Sequence, residues 1–205
     1  MAFVISVALL KGGVGKTTTA VSLAEAASYG GTVTLIDADP QASAYRWSTL
    51  AAQSGRPLRS TVVPEASADL VRRIGQLTRG ADLVVVDAPP PGDLKLGRIA
   101  IGVADYVVIP TPPEMAALDR VPATVDIARE LGKPARAVLT MVRAGLAERE
   151  GALAALRSWD VPVFAAELPL AVAVQRAYGH FVTGVLAGYG FDLLAEILKE
   201  VQANG

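Results

Sequence analysis

Lys11 and Lys16 stand on either side of Gly12, Gly13 and Gly15 in the stretch LLKGGVGKTTTA, residues 9–20. Glycines so spaced admit unusual backbone angles and let main-chain N–H groups, those of Val14 and Thr18 among them, converge on an anion. A lysine placed like Lys16 reaches the β- and γ-phosphates of a nucleotide, and the Thr17 hydroxyl ligates magnesium. One lysine suffices for that task, so Lys11 needs its own explanation. The strict pattern G-x-x-x-x-G-K-[ST] also fails, because Leu10 stands where its first glycine belongs and Lys11 follows. Two aspartates end apolar runs, Asp37 in LIDADPQAS, with Asp39 just beyond it, and Asp87 in DLVVVDAPP.

These residues need strands to carry them. Apolar, β-branched runs occur at 3–9, 32–37, 59–63, 82–87, 105–110, 136–142 and 161–166. Most are apolar at successive positions, as strands buried on both faces are. Between them the spacing predicts helices near 16–28, 41–54, 65–78, 94–103, 114–131, 147–158, 170–186 and 191–203, with Pro122 admissible only in a first turn or at a kink. The fold expected is α/β: a doubly wound, mostly parallel sheet with helices on both faces. The glycines then lie at a strand-to-helix turn, where the helix start adds unpaired donors, and the aspartates lie at the carboxyl edge, where such folds bind ligands.

In this context KGGVGKTT resembles the deviant Walker A motif of the ParA/MinD family of P-loop ATPases. That resemblance implies that Lys16 acts in cis, while Lys11 reaches across an ATP-bound homodimer to the partner's phosphates. It assigns DxDPQ to the Walker A′ motif, with Asp39 orienting the attacking water and Asp37 supporting the magnesium shell. DLVVVDAPP matches Walker B, with Asp87 holding Mg2+ through its water shell. Segment similarity extends to VVIPTPPEMAALDR, LTMVRAG and AELPLAVAVQRAYGHFVTGV, and implies adenine contacts from Met141, Arg143 and Pro169. DPQASAYRW and the short length most resemble small ParF-like plasmid-partition ATPases, so one domain over 1–205 is expected, without the N-terminal DNA-reading domain of larger relatives. Leu9 departs from the family, whose members often have asparagine or serine there.

The net charge of −1 gives no sign of a nucleic-acid binder dominated by electrostatics, so DNA contact must use a local patch. Scattered candidates are Arg72, Arg73, Arg129, Arg136, Arg143, Arg149, Arg157 and Arg176, with Arg143 and Arg176 preferred. The absence of cysteine excludes disulfides and thiolate metal sites. His180 is the only histidine, and a packing or surface role is expected for it. Trp47 and Trp159 read as packing residues, with a dimer face the alternative for Trp47. The last helix sets Phe191, Leu194, Ile197, Leu198 and Val201 against Asp192, Glu196, Glu200 and Lys199, an acidic polar face unlike a membrane-surface helix. By resemblance, the reading is a cytoplasmic, nucleoid-associated partition ATPase that uses ATP and Mg2+, binds non-specific DNA as a dimer and answers to a ParB-like adaptor. A MinD-like or protein-cargo positioning ATPase is the alternative, followed by a ligase of the dethiobiotin synthetase type.

Overall fold

A computed structural model of the chain describes residues 2–143 and 146–204. Ala144 and Gly145, which end the LTMVRAG segment, lie outside the described residues. The element order is β1 (Phe3–Val7), α1 (Lys16–Ala27), β2 (Val33–Asp37), α2 (Ser43–Gln53), β3 (Thr61–Pro64), α3 (Leu70–Leu77), β4 (Leu83–Asp87), α4 (Leu94–Gly102) and β5 (Tyr106–Thr111). There follow α5 (Met115–Leu118), α6 (Val121–Glu130), β6 (Ala135–Val142), α7 (Leu146–Ser158), β7 (Val163–Pro169), α8 (Val172–Gln175) and α9 (Gly184–Asn204).

The strands form one seven-stranded sheet in the order β3-β2-β4-β1-β5-β6-β7, every pairing parallel. Alternate residues of the inner strands enter opposite cores. Ile5, Val7, Leu35, Val85 and Val108 pack with α1, α2 and α9. Val4, Ile36, Val84, Val86 and Ile109 pack with α3 to α7. Burial on both faces is what the continuous apolar runs require. Register then does functional work: Asp37 pairs with Asp87, and Val7 pairs with Asp87 from the other side. The two carboxylates and the end of β1 therefore meet at one point of the carboxyl edge.

Three expectations need correction. The helix predicted over 114–131 is two, with the break before Pro122, which occupies the first turn of α6. The helix predicted over 170–186 is only the four residues of α8, because Gly179 and Gly184 take φ of 78° and 56°, outside the helical region. The last helix accordingly starts at Gly184 rather than 191. Its acidic residues are not all solvated: Glu196 accepts from the N–H groups of Ala165 (2.9 Å) and Ala166 (2.7 Å). Glu200 accepts from the Tyr106 hydroxyl at 2.9 Å.

α9 lies close against α1, with the Thr19 and Tyr189 hydroxyls 3.1 Å apart. A Cβ on Gly190 would sit 2.3 Å from the Ser22 carbonyl oxygen and 3.2 Å from Ala26 Cβ. Gly190→Ala must push the two helices apart. It should cost about 1–3 kcal/mol, read as a lower urea midpoint at unchanged slope.

Candidate functional site

The chain leaves β1 and turns through residues 8–15 into α1. Gly13 and Gly15 adopt φ of 71° and 88°, conformations a side chain would strain. Gly15 is the N-cap of α1 and offers no side-chain acceptor, so the first N–H groups of the helix remain available to an anion. The loop is braced from β6: Thr140 Oγ1 donates to the Val14 carbonyl at 2.9 Å, and a Cβ on Gly15 would lie 3.6 Å from Thr140 Cβ. Lys16 is buried, and its ammonium donates to the Lys11 carbonyl at 2.8 Å. Burial lowers its pKa from 10.5, while the charges of Asp87 and Asp39 oppose the shift.

Asp87 is fully buried, and neither of its carboxylate oxygens has a hydrogen-bond partner. Desolvation raises its pKa to about 8; the Thr17 hydroxyl lowers it without a bond of ordinary geometry, the Asp37 charge raises it, and Lys16 lowers it. Asp37 is also buried, and its pKa is raised by desolvation, against the hydrogen bonds it accepts from main-chain N–H groups. Its Oδ1 takes the Asp39 N–H at 3.2 Å and its Oδ2 the Tyr45 N–H at 2.8 Å, so the strand end caps α2. Asp39 in turn accepts from the Gln41 N–H at 2.8 Å.

An unpaired buried carboxylate beside a hydroxyl and a second carboxylate is a hard oxygen donor set, and it fits Mg2+. Among the described residues no group of three or more acidic or imidazole side chains could hold a metal by itself. A cation here therefore needs ligands from phosphate and water, as Mg2+ usually does.

The cleft above the loop has a volume of about 370 Å³ and is lined by Gly12, Gly13, Gly15, Lys16, Thr17, Thr18, Asp39, Ser43, Trp47, Pro90, Met141 and Tyr178. Of the residues singled out for adenine, Met141 lines it, at φ of 55°. Arg143 and Pro169 lie outside this lining, at the ends of β6 and β7, where Val142 pairs with Pro169. Lys11 borders the loop half-buried.

Ser43, Pro90 and Tyr178 are cleft residues the sequence reading missed. Tyr178 is held by Trp47, with ring centroids 5.3 Å apart, and the Trp47 indole donates to the His180 carbonyl at 2.8 Å. Trp47 is thus a buried packing residue that also faces the cleft. His180 is exposed, and its contribution to this contact is its main chain.

Among the arginines, Arg136 must be withdrawn from the DNA candidates. It pairs with Glu196 (3.5 Å) and Glu200 (3.1 Å) and lies over the Phe164 ring. Arg73 is paired with Glu65, Arg129 with Asp126 and Arg149 with Glu167. Arg143 and Arg176 are exposed beyond the carboxyl ends of β6 and β7.

A glycine loop between the first strand and first helix, with two aspartates on neighbouring strand ends, defines a P-loop nucleotide-binding protein. The chain belongs to the CobQ/CobB/MinD/ParA nucleotide binding domain family, which matches residues 5–183, and it is a P-loop ATPase of the ParA/MinD type. It is 38% identical over 178 residues to Maintenance of carboxysome distribution protein A of Gloeobacter kilaueensis, covering 85% of this chain and 80% of that protein. It is 35% identical over 173 residues to the chromosome-partitioning ATPase Soj of Thermus thermophilus, covering 71% of this chain and 64% of that one. The fold matches that of a Cyanothece McdA variant in complex with ATP, at a TM-score of 0.80 and 19% identity, over 97% of this chain and 96% of that chain. Among the described residues no helix is long and apolar enough to cross a membrane.

Proposed function

We propose that the chain is an ATP-operated positioning ATPase. Two copies close face to face around ATP, and the dimer holds non-specific DNA while a cargo-bound adaptor of ParB type stimulates hydrolysis. The observation that carries this reading is Lys11. Its main chain is held on both sides, by Leu9 and Lys16, while its side chain takes part in no salt bridge among the described residues. A free cation beside a complete phosphate loop suits a nucleotide shared between two subunits.

The residues divide the chemistry between them. The N–H groups of Gly12 to Thr18 and the Lys16 ammonium orient the triphosphate. Thr17, Asp37 and Asp87 would hold Mg2+, which supplies charge neutralisation at the phosphates when bound. Asp39 accepts a hydrogen bond from the attacking water and aligns it. Met141 borders the nucleoside, with Arg143 and Pro169 further out. Arg143 and Arg176 contact DNA phosphates.

Similarity along most of the chain to a protein named for carboxysome distribution favours a protein assembly as the cargo. Similarity to Soj and to a ParA protein supports the second reading, a DNA cargo. In either case ATP with Mg2+, and not ADP, should retain the protein on non-specific duplex DNA, and salt should release it. Equal retention with both nucleotides contradicts the proposal. Lys11→Ala should leave ADP binding within about twofold and weaken the ATP-dependent dimer about tenfold or more, measured by sedimentation.

A further inference from the structure

Lys11 leaves the loop from an unusually fixed piece of backbone. Its N–H donates to the Leu9 carbonyl at 2.7 Å, closing a three-residue turn centred on Leu10. Its carbonyl accepts the Lys16 ammonium at 2.8 Å. Leu9 is buried in the core beneath α3 to α7. Leu10, half-buried at the centre of the turn, meets two helices, α4 through its side chain and α6 through its main chain. Its Cδ2 lies 3.9 Å from where a Cβ on buried Gly97 of α4 would stand, so its side chain rests over that glycine. Its N–H points to Thr124 Oγ1 in the first turns of α6, at 3.4 Å. Thr124 is fully buried and donates to the Arg120 carbonyl at 3.1 Å, which fixes the hydroxyl that meets Leu10.

The usual phosphate loop has glycine at the position of Leu10. A glycine there would keep the N–H that meets Thr124 but would have more backbone freedom and no side chain to rest on α4. We propose that Leu10 is the positioning residue for Lys11: its side chain rests on Gly97 of α4 while its main-chain N–H meets Thr124 of α6, and together these set the direction in which the lysine leaves the loop. The inference rests on the reading that Lys11 acts on the partner's nucleotide. A long, flexible lysine that must find a phosphate across an interface binds more tightly when its Cα–Cβ direction is fixed beforehand. The same side chain ties Lys11 to α4, whose first turn is capped by Asp93 through the Leu96 N–H at 2.8 Å, a short way after Asp87.

The test is a double-mutant cycle on the full chain, with ATP-dependent dimerisation measured by sedimentation and ADP affinity measured on the monomer. Leu10→Gly, which restores the ordinary motif glycine, should weaken the ATP dimer about tenfold and leave ADP affinity within about twofold. In a Lys11→Ala background the same change should have no further effect, whereas Leu10→Met with Lys11 present, which keeps an apolar side chain against Gly97, should dimerise about as well as the unsubstituted chain. Thr124→Val removes the hydroxyl and keeps the shape; a loss of about threefold, again absent in the Lys11→Ala background, is expected even should Leu10→Gly fold poorly. Equal losses in both backgrounds, or no loss in either variant, overturn the role of Leu10 while leaving that of Lys11 intact. An unchanged dimer in Lys11→Ala alone overturns the trans reading of the lysine and the positioning role with it.

Discussion

Asp87→Asn should make the nucleotide-free protein more stable at pH 9 and at the same time abolish magnesium-dependent hydrolysis. Asp87 is completely buried, lacks a hydrogen-bond partner on either oxygen and has its pKa raised from 3.8 to about 8. A carboxyl raised in this way binds its proton more tightly in the folded state than in the unfolded one. The folded state therefore holds more protons between pH 4 and 8, and stability falls as pH rises through that window. Above pH 8 the ionised group costs on the order of 5 kcal/mol. An asparagine amide in the same place remains buried and poorly paired, at about 1–3 kcal/mol, so a net gain of a few kcal/mol remains at pH 9. At pH 4 the two proteins should unfold at nearly the same denaturant concentration. Mg2+ with ATP should raise the melting temperature of the wild type more than that of the variant, because the variant keeps the phosphate loop and Lys16 but lacks the carboxylate proposed to hold the cation. Equal pH dependence of the two proteins would show that Asp87 is already relieved of its charge by something else. Stability given up at one residue for the sake of a ligand is a common pattern at functional sites.

The part of this site legible in the sequence is the part built from local chain. Glycine spacing, the lysines beside it and an aspartate at the end of each of two apolar runs required only that strands be parallel and in register; the pairing of Asp37 with Asp87 follows. Tyr178 was not legible for a definite reason. The apolar residues of 170–186 keep a helical spacing, yet Gly179 and Gly184 leave the helical region, and a Cβ on Gly179 would lie 3.0 Å from Leu50. Two glycines five residues apart were the available signal. They turn the chain back over α2 and bring Tyr178 to the cleft. Arg136 was misread because charge on a strand was counted without its neighbours. Glu196 and Glu200 stand one helical turn apart on α9 and enclose it. Leu10 was recognised as a departure from the motif, but its purpose depends on Gly97 and Thr124, which are remote in sequence and met only in the fold.

Asp39→Ala should reduce hydrolysis by about 10²-fold or more and leave ATP binding intact or slightly tighter. The loop that carries Asp39 is held mainly by main-chain groups the substitution preserves. The Asp39 N–H still meets Asp37, the Ala42 N–H still donates to the residue 39 carbonyl at 2.8 Å, and Tyr45 still bonds to Asp37. The one bond lost is that from Gln41 to the Asp39 carboxylate. Removing a negative charge beside Lys16 and the outer phosphate relieves repulsion, so affinity has no cause to fall. With Asp39 in its proposed role, loss of the carboxylate removes the acceptor that aligns the water, and the ATP-bound dimer should accumulate, visible as a lasting shift in sedimentation. Asp39→Asn separates this role from a structural one. It preserves an oxygen for the Gln41 N–H and the shape of the turn, but it is far weaker as a base and acceptor. If the carboxylate serves the water, the asparagine variant hydrolyses as slowly as the alanine variant. If Asp39 serves only the turn, asparagine recovers most of the rate, and the attacking water must be oriented by another group lining the cleft.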